Sequence, residues 1–484
     1  MVGRVLAFMN KEIRGLHEAA YLLAVFAFLS QVLALVRDRT FAHFFGAGPT
    51  LDAYFAAFRV PDLLFAFVTL FISSFAIIPL LAARGGHESK ESQSLIGSVL
   101  FSFGCASIIA GVGLYFALPY IVPTLFAGFS EATKETVVTL SRIMLLQPFF
   151  LGLSSIIGAL VQASRKFFIF ALAPIFYNLG IIGGAVFLYP SMGPAGLAWG
   201  VVFGAILHVS VQTIPLIFHL KTFRPTLSRV VVSDTSAVAR RSLPRAFALS
   251  ANQLLMLVLI SIASFAATGS VASISFAFNL QSVPLSIVGV SYAAALFPSL
   301  ALLYAKNAHE AFVSEVWAAV RHIVFWTAPA IALMIVLRAH MVRVILGSGA
   351  FSWNDTRLTA AVLAAFAVSL MAQAAMLIFS RGYYAAQKEA VPIIMNVGVA
   401  LVSGILAYFS FHWFEQAHVW RYLIEHLVRI DGSAGSGVVI IASAYSVTML
   451  IGALVFAIIF AKEFGFEKLV FSTLFCAVSS SVIL

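Results

Sequence analysis

The sequence predicts an all-α polytopic membrane protein. Two pseudo-symmetric six-helix lobes are expected in a V around a central cavity, followed by a partial thirteenth span. Three observations predict this. The 484 residues are 62% hydrophobic and only 10% charged, with a mean hydropathy of +1.02, whereas soluble domains carry roughly 25% charged residues. Apolar runs near the ~20 residues that a bilayer requires recur along the chain. The two halves also echo each other at an offset of about 219 residues.

Residues 1–18 carry Val5, Leu6, Met9, Ile13 and Leu16 near helical spacing, which predicts an interfacial amphipathic helix. The next apolar run, Ala19 to Val36, is of spanning length and is followed by no small-residue cleavage pattern, so no cleavable signal peptide is expected. Spans are expected near 19–44, 52–82, 94–120, 136–163, 168–189, 194–219, 244–268, 271–304, 315–338, 357–380, 389–412 and 436–461. Glu467 to Leu484 is apolar to its last residue and reads as part of a thirteenth. Residues 221–243 form a polar linker near the middle. The organisation is therefore 1–220, a first six-helix lobe with its amphipathic tail; 221–243, a basic cytoplasmic linker; 244–462, a second lobe; and 463–484, the partial span.

Loop charge sets orientation. With the N-terminus in the cytoplasm, most of the 29 Lys and Arg fall on the inner side. They include Arg4, Lys11 and Arg14, then Arg165 and Lys166, then the basic run from Lys221 to Arg245. This predicts an inner N-terminus and accounts for the net charge of +10 without nucleic acid.

The internal echo is specific. Pro174-Ile175-Phe176-Tyr177-Asn178-Leu179-Gly180 returns as Pro392-Ile393-Ile394-Met395-Asn396-Val397-Gly398. Ala57-Phe58-Arg59 matches Ala277-Phe278-Asn279, and Ile78-Pro79 matches Phe297-Pro298. An even number of helices separates the copies, so they share topology. Parallel repeats place a pseudo-two-fold along the membrane normal, with a site between the lobes near the midplane. Arg59 and Asn279 are expected to face each other there.

Ser30 to Leu81 concentrates six charges between apolar segments: Arg37, Asp38, Arg39, Asp52, Arg59 and Asp62. Each costs roughly 2.5–3.5 kcal/mol at a bilayer centre on insertion scales. They must pair, sit near an interface, or face a water-filled cavity. Arg59 and Asp62 are three apart and share a helix face on which they can pair. Pro61 between them removes a helical hydrogen bond, which predicts a kink and a free Ala57 carbonyl. Arg37-Asp38-Arg39 read alternatively as the outer end of the first span. Asp52 reads alternatively as a helix-start carboxylate favoured by the dipole. The second half offers neutral groups instead: Asn252, Gln253, Asn279 and Gln281. Asn178 and Asn396 read as helix-packing polar residues.

No enzyme signature is present: there is no HExxH, GxxxxGK[ST], CxxC or strand–helix GxSxG. Cys105 and Cys476 lie in apolar runs and read as packing residues, not as a disulfide or metal site. The expectation is a non-enzyme with no cofactor, no metal and no ATP site.

Ser30, Arg37-Asp38, Phe45-Gly46-Ala47-Gly48, Asp52-Ala53, Ala57-Phe58, Pro61, Leu63-Leu64 and Pro79 together resemble the opening of the MurJ/MviN lipid II flippases, in the multidrug/oligosaccharidyl-lipid/polysaccharide exporter superfamily. The resemblance continues through Gly196-Leu197-Ala198-Trp199, Gly269-Ser270-Val271, Pro298-Ser299-Leu300 and Tyr383-Tyr384…Pro392 and covers almost the whole chain. It implies a multi-pass protein of the bacterial inner membrane that moves an undecaprenyl-pyrophosphate-linked peptidoglycan precursor outward by alternating access. The implied partners are that precursor and membrane lipids; ion coupling is left open. Four positions depart from the family pattern. Gln31, Phe65 and Asn279 stand where the family carries arginine, and Leu70 stands where it carries glutamate. The implied substrate contacts are Arg37, Asp52, Arg59 and Asn279, with Gln31, Asp38, Arg39, Asp62 and Gln281 behind them. The missing arginines leave two alternatives open: a transporter of another lipid-linked saccharide, or a non-transporting membrane scaffold of cell-wall assembly.

Overall fold

A bilayer core offers no water to the backbone, so each peptide group must be satisfied within its own segment, and helices do this. The computed structural model describes residues 16–68, 89–219 and 250–466, and among them every regular element is helical. The expected tail helix (but for its last residues), the 221–243 linker and the Glu467–Leu484 run lie outside the described residues.

By contact the chain divides into two compact units. One comprises Met1–Phe41 and Ala53–Gln253; the other comprises Ala42–Asp52 and Leu254–Leu484. In the first lie most of α1 (Leu16–Phe45), the end of α2 (Pro49–Ala57), α3 (Arg59–Val68), α4 (Lys90–Leu125), α5 (Glu131–Met144), α6 (Leu146–Ala163), α7 (Phe167–Gly183) and α8 (Pro194–His219). Helix α9 (Ser250–Ala263) leads into the second. There follow α10 (Ser270–Pro284), α11 (Ser291–Ala305), α12 (His309–Val336), α13 (Arg338–Ile345), α14 (Trp353–Ala367), α15 (Leu370–Ala385), α16 (Ala390–Gln416), α17 (His418–Val428) and α18 (Gly437–Phe464).

Among the described residues, nine helical stretches are long and apolar enough to cross a membrane, and α14 with α15 makes a tenth, bent by 40°. The apolar windows of the nine are only 6% to 56% buried. Core helices of a soluble protein would hide such surface; here it is left for lipid. The second and seventh expected spans are described only in part, at Pro49–Val68 and Ser250–Ala263.

Breaks in the spans follow from sequence. Proline has no N–H for the carbonyl four residues back, and its ring clashes there. Pro61 sits four after Ala57, where α2 ends; Pro148 sits four after Met144, where α5 ends. At the α14–α15 bend there is no proline. Ser369 donates its hydroxyl to the Phe366 carbonyl at 2.6 Å, and Gln373 Nε2 donates to Ser369 Oγ at 2.8 Å, competing with the helical ladder. Close approach of α7 and α8 requires glycine. A Cβ on Gly184, just past α7, would lie 2.4 Å from the Cα of Gly200, the small-residue contact that lets membrane helices meet without a hydrophobic driving force.

The Ala57 carbonyl is not free, contrary to the expectation from Pro61. Ser141 on α5, fully buried, donates its hydroxyl to it at 3.1 Å. Ser141→Ala removes the substitute that the described residues supply for the lost helical bond. It is expected to cost ~1–3 kcal/mol, because a buried acceptor is left unpaired. Ser155→Ala is the control, since Ser155 donates to the Leu151 carbonyl of its own helix and should be near neutral. Thermal denaturation in detergent compares the two; equal midpoints would show that the Ala57 carbonyl does not depend on Ser141.

Candidate functional site

Two polar constellations emerge from the charged stretch, one in each unit.

In the first unit, Asp38 is 2% exposed on α1. Adjacent helical positions do not face each other, so the long Arg37 side chain curls back. Its Nε and Nη2 both donate to Asp38 Oδ1, at 3.0 and 2.8 Å. Its Nη1 donates to Asn178 Oδ1 at 3.2 Å. Asn178 Nδ2 donates to the Pro174 carbonyl one turn back, at 3.1 Å. That bond fixes the amide orientation, so the oxygen is the atom presented to Arg37. Tyr54 and Tyr177 lie within electrostatic reach of Arg37, and the Tyr177 ring meets His208 edge-on with centroids 6.3 Å apart. His208 Nδ1 is 2.7 Å from Ser154 Oγ.

Arg59 opens α3, just past the break imposed by Pro61. It donates Nε to the Phe55 carbonyl at 3.2 Å, one of the carbonyls ending α2. Asp62 is the acid that acts on it electrostatically, but no hydrogen bond or ion pair joins them among the described residues. The pairing expected from their spacing is therefore not closed. Nη1 and Nη2 of Arg59 have no protein partner among the described residues, whereas each nitrogen of Arg37 is engaged. Arg39 is exposed, and Gln31 is half-buried six residues before Arg37.

In the second unit, Asp52 is 2% exposed and caps α10. Gly269 N–H donates to Oδ2 at 2.6 Å and Ala272 N–H to Oδ1 at 2.8 Å. The first N–H groups of a helix have no intrahelical partner and carry the positive end of its dipole. A carboxylate brought from 217 residues away in sequence satisfies two of them. Gly269 is required: its φ is +90°, and a Cβ there would lie 2.3 Å from the Ala47 carbonyl oxygen. The same turn is held from a second side. Ala350 N–H donates to the His43 carbonyl at 2.9 Å. Asp355, which forms a capping box with Ser352 on α14, accepts from Ala47 N–H at 3.4 Å. Asp52 was expected as a substrate contact, with a helix-start carboxylate favoured by the dipole as the alternative; it does sit in the first turn of α2, and its oxygens accept from the start of α10.

Of the remaining candidates, Asn279 is half-buried on α10. Gln281 is fully buried, and neither end of its amide has a partner among the described residues.

Sequence reasoning missed Asn178 as the partner of Arg37. The signal was available: Asn178 lies one turn past a proline, in the motif that returns at Asn396. Tyr54, Tyr177 and His208 had no signal, since aromatic and histidine side chains in apolar runs are ordinary core residues.

A guanidinium with open donors beside a partly buried acid, within a span, can take an anionic oxygen group. The family model described as "Lipid II flippase MurJ" matches residues 41–484. A relative described as "Lipid II flippase MurJ" from Burkholderia cenocepacia is 27% identical over 413 residues, 81% of this chain and 78% of that protein. "Probable lipid II flippase MurJ" of Rhizobium meliloti is 28% identical over 402 residues, 77% of this chain and 72% of that one. Among solved structures, "Lipid II flippase MurJ, inward closed conformation" superposes with a TM-score of 0.76 at 24% identity, covering 96% of this chain and 91% of that one. An inward-facing multidrug resistance MATE family transporter of the MOP superfamily gives 0.71 at 16% identity, covering 90% and 95%. These two share the fold. A family match over residues 41–484 settles more than fold: this multi-pass membrane chain belongs to the lipid II flippase MurJ family.

Proposed function

We propose that this chain carries lipid II from the inner to the outer leaflet of the bacterial cytoplasmic membrane, by alternating access, for cell-wall synthesis. It is a transporter and not an enzyme. The observation that carries the reading is a guanidinium, Arg59, with open donors on a proline-broken span of a chain in a flippase family. The pyrophosphate headgroup is anionic and too polar to cross hydrocarbon unaided. A guanidinium fork matches phosphate oxygens bidentately. Arg37, held by Asp38 and Asn178, adds a fixed positive charge in the same unit. An inside-negative potential favours outward movement of two negative charges by about 4.6 kcal/mol per 100 mV, a bias that needs no nucleotide. The loop charge supports an N-terminus in the cytoplasm.

The test is complementation of a bacterium depleted of its own lipid II flippase. Restored growth with normal wall synthesis is expected. A chain that inserts at wild-type level yet leaves the cells to lyse would rule the reading out. That result would turn attention to another lipid-linked saccharide, the reading favoured by Gln31, Phe65 and Asn279 where the family carries cations.

A further inference from the structure

Helix α17 (His418–Val428) carries an uncovered apolar stripe on one side. It follows the span α16 after a break at Ala417, and none of its side chains is buried. Arg421 and Glu425, with Ile424 and Val428, are half-buried and turn toward the chain, while His418, Tyr422 and His426 lie exposed on one flank. Arg421 donates Nε to Glu425 at 2.9 Å and Nη1 to Glu415 at 3.4 Å, and Ser436 Oγ donates to Glu425 at 2.5 Å. Four apolar side chains turn away: Val419 is 73% exposed, Trp420 55%, Leu423 51% and Leu427 79%. Steps of three and four residues put these on one continuous stripe. A helix at a water-facing surface hides such a stripe against the protein.

What covers the stripe follows from its neighbours. Helix α16 has 27 residues, or ~40 Å at 1.5 Å per residue, longer than the ~30 Å hydrocarbon core. Its end at Gln416 therefore reaches the headgroup level. On α16, Leu401, Ile405 and Phe409 are exposed to lipid, and the α17 stripe continues that surface. Trp413 at the end of α16 and Trp420 on α17 are both exposed, with ring centroids 6.1 Å apart. Amphipathic indole rings collect at this depth.

We infer that α17 is an in-plane interfacial helix whose apolar stripe sinks into the headgroup–acyl boundary of the leaflet at the C-terminal end of α16. Its partner is the lipid surface itself. On the orientation proposed above that leaflet is the outer one; the inference does not depend on which leaflet it is. Anchored by the stripe, α17 ties the outer ends of α16 and α18 to a fixed depth, through Glu415 and Ser436.

Spin labels decide it. Single cysteines replace Leu423, Leu427 and, as a control, the exposed loop residue Ala434, in the full chain with Cys105→Ser and Cys476→Ser. The protein sits in phosphatidylethanolamine–phosphatidylglycerol nanodiscs with no other protein present. Power saturation is expected to show labels at 423 and 427 several-fold more accessible to oxygen than to nickel-EDDA, and the label at 434 the reverse. Nickel accessibility at 423 and 427 equal to that at 434 would overturn the inference and mark the stripe as a protein-docking face. A second readout uses no label: lipids brominated near the headgroup should quench the fluorescence that Trp420→Phe removes, and a component that resists quenching would also overturn it.

Discussion

Asp52→Ala is expected to destabilise the chain by about 3 kcal/mol or more, with Asp52→Asn between it and wild type. Each hydrogen bond to a charged group contributes ~1.5–3 kcal/mol, and a buried donor left unpaired costs its full desolvation. Asp52 holds two such donors, Gly269 N–H and Ala272 N–H, at 2.6 and 2.8 Å. The α10 dipole adds to its hold on the carboxylate. Alanine strips both partners from a buried helix start. Asparagine keeps one acceptor oxygen, so one bond survives without its charge. Thermal unfolding in detergent, followed as the fraction remaining monodisperse, reads the order. The same variants separate a structural from a substrate-binding role. If Asp52 only caps α10, lipid II flipping falls in step with folded protein. If transport vanished in Asp52→Asn while its unfolding midpoint matched wild type, the capping account would be wrong.

Much of this was legible in the sequence, because membrane helices obey few rules. Length and hydropathy located the spans. Pro61 located the break before Arg59, since the missing N–H acts on a carbonyl that sequence alone identifies. The fate of that carbonyl was not legible. Ser141 lies 84 residues away, and no local rule brings α5 against α2. Asp52 shows the same limit. Its turn and its carboxylate are visible in sequence, but a short acidic side chain beside a turn caps its own helix by default. That it caps α10 is a tertiary choice, foreshadowed only by glycine at 269. Arg37 with Asp38 was legible as a charge cluster. The third member, Asn178, was marked by the repeated motif but read as packing, because an asparagine in an apolar run serves packing more often than orientation. Ser369 bends the α14–α15 pair through a side-chain bond to the Phe366 carbonyl that any helical serine can make, so no pattern announced it.

Arg59→Ala is expected to reduce lipid II flipping by tenfold to a hundredfold at matched expression, and Lys221→Ala to leave it near wild type. Arg37 and Arg59 differ in what remains open to a ligand. Arg37 gives Nε and Nη2 to Asp38 and Nη1 to Asn178. Among the described residues Arg59 gives only Nε, to the Phe55 carbonyl, and that bond aims the guanidinium while leaving both terminal nitrogens without a protein partner there. A close guanidinium–phosphate contact is charge-assisted and worth roughly 1.5–3 kcal/mol, which converts to the stated range. Arg59→Lys should fall between, because an ammonium keeps the charge but loses the planar fork. Lys221 belongs to the basic linker, where charge sets topology rather than binding. Flipping into vesicles, read at low and high salt, checks all three. Loss of a direct charge contact should also flatten the salt dependence of binding, since exposed charge pairs are screened within ~10 Å at 0.1 M salt. If Arg59→Ala flips as well as Lys221→Ala while Arg37→Ala does not, the phosphate contact lies on Arg37, whose bonds to Asp38 and Asn178 must then open for substrate.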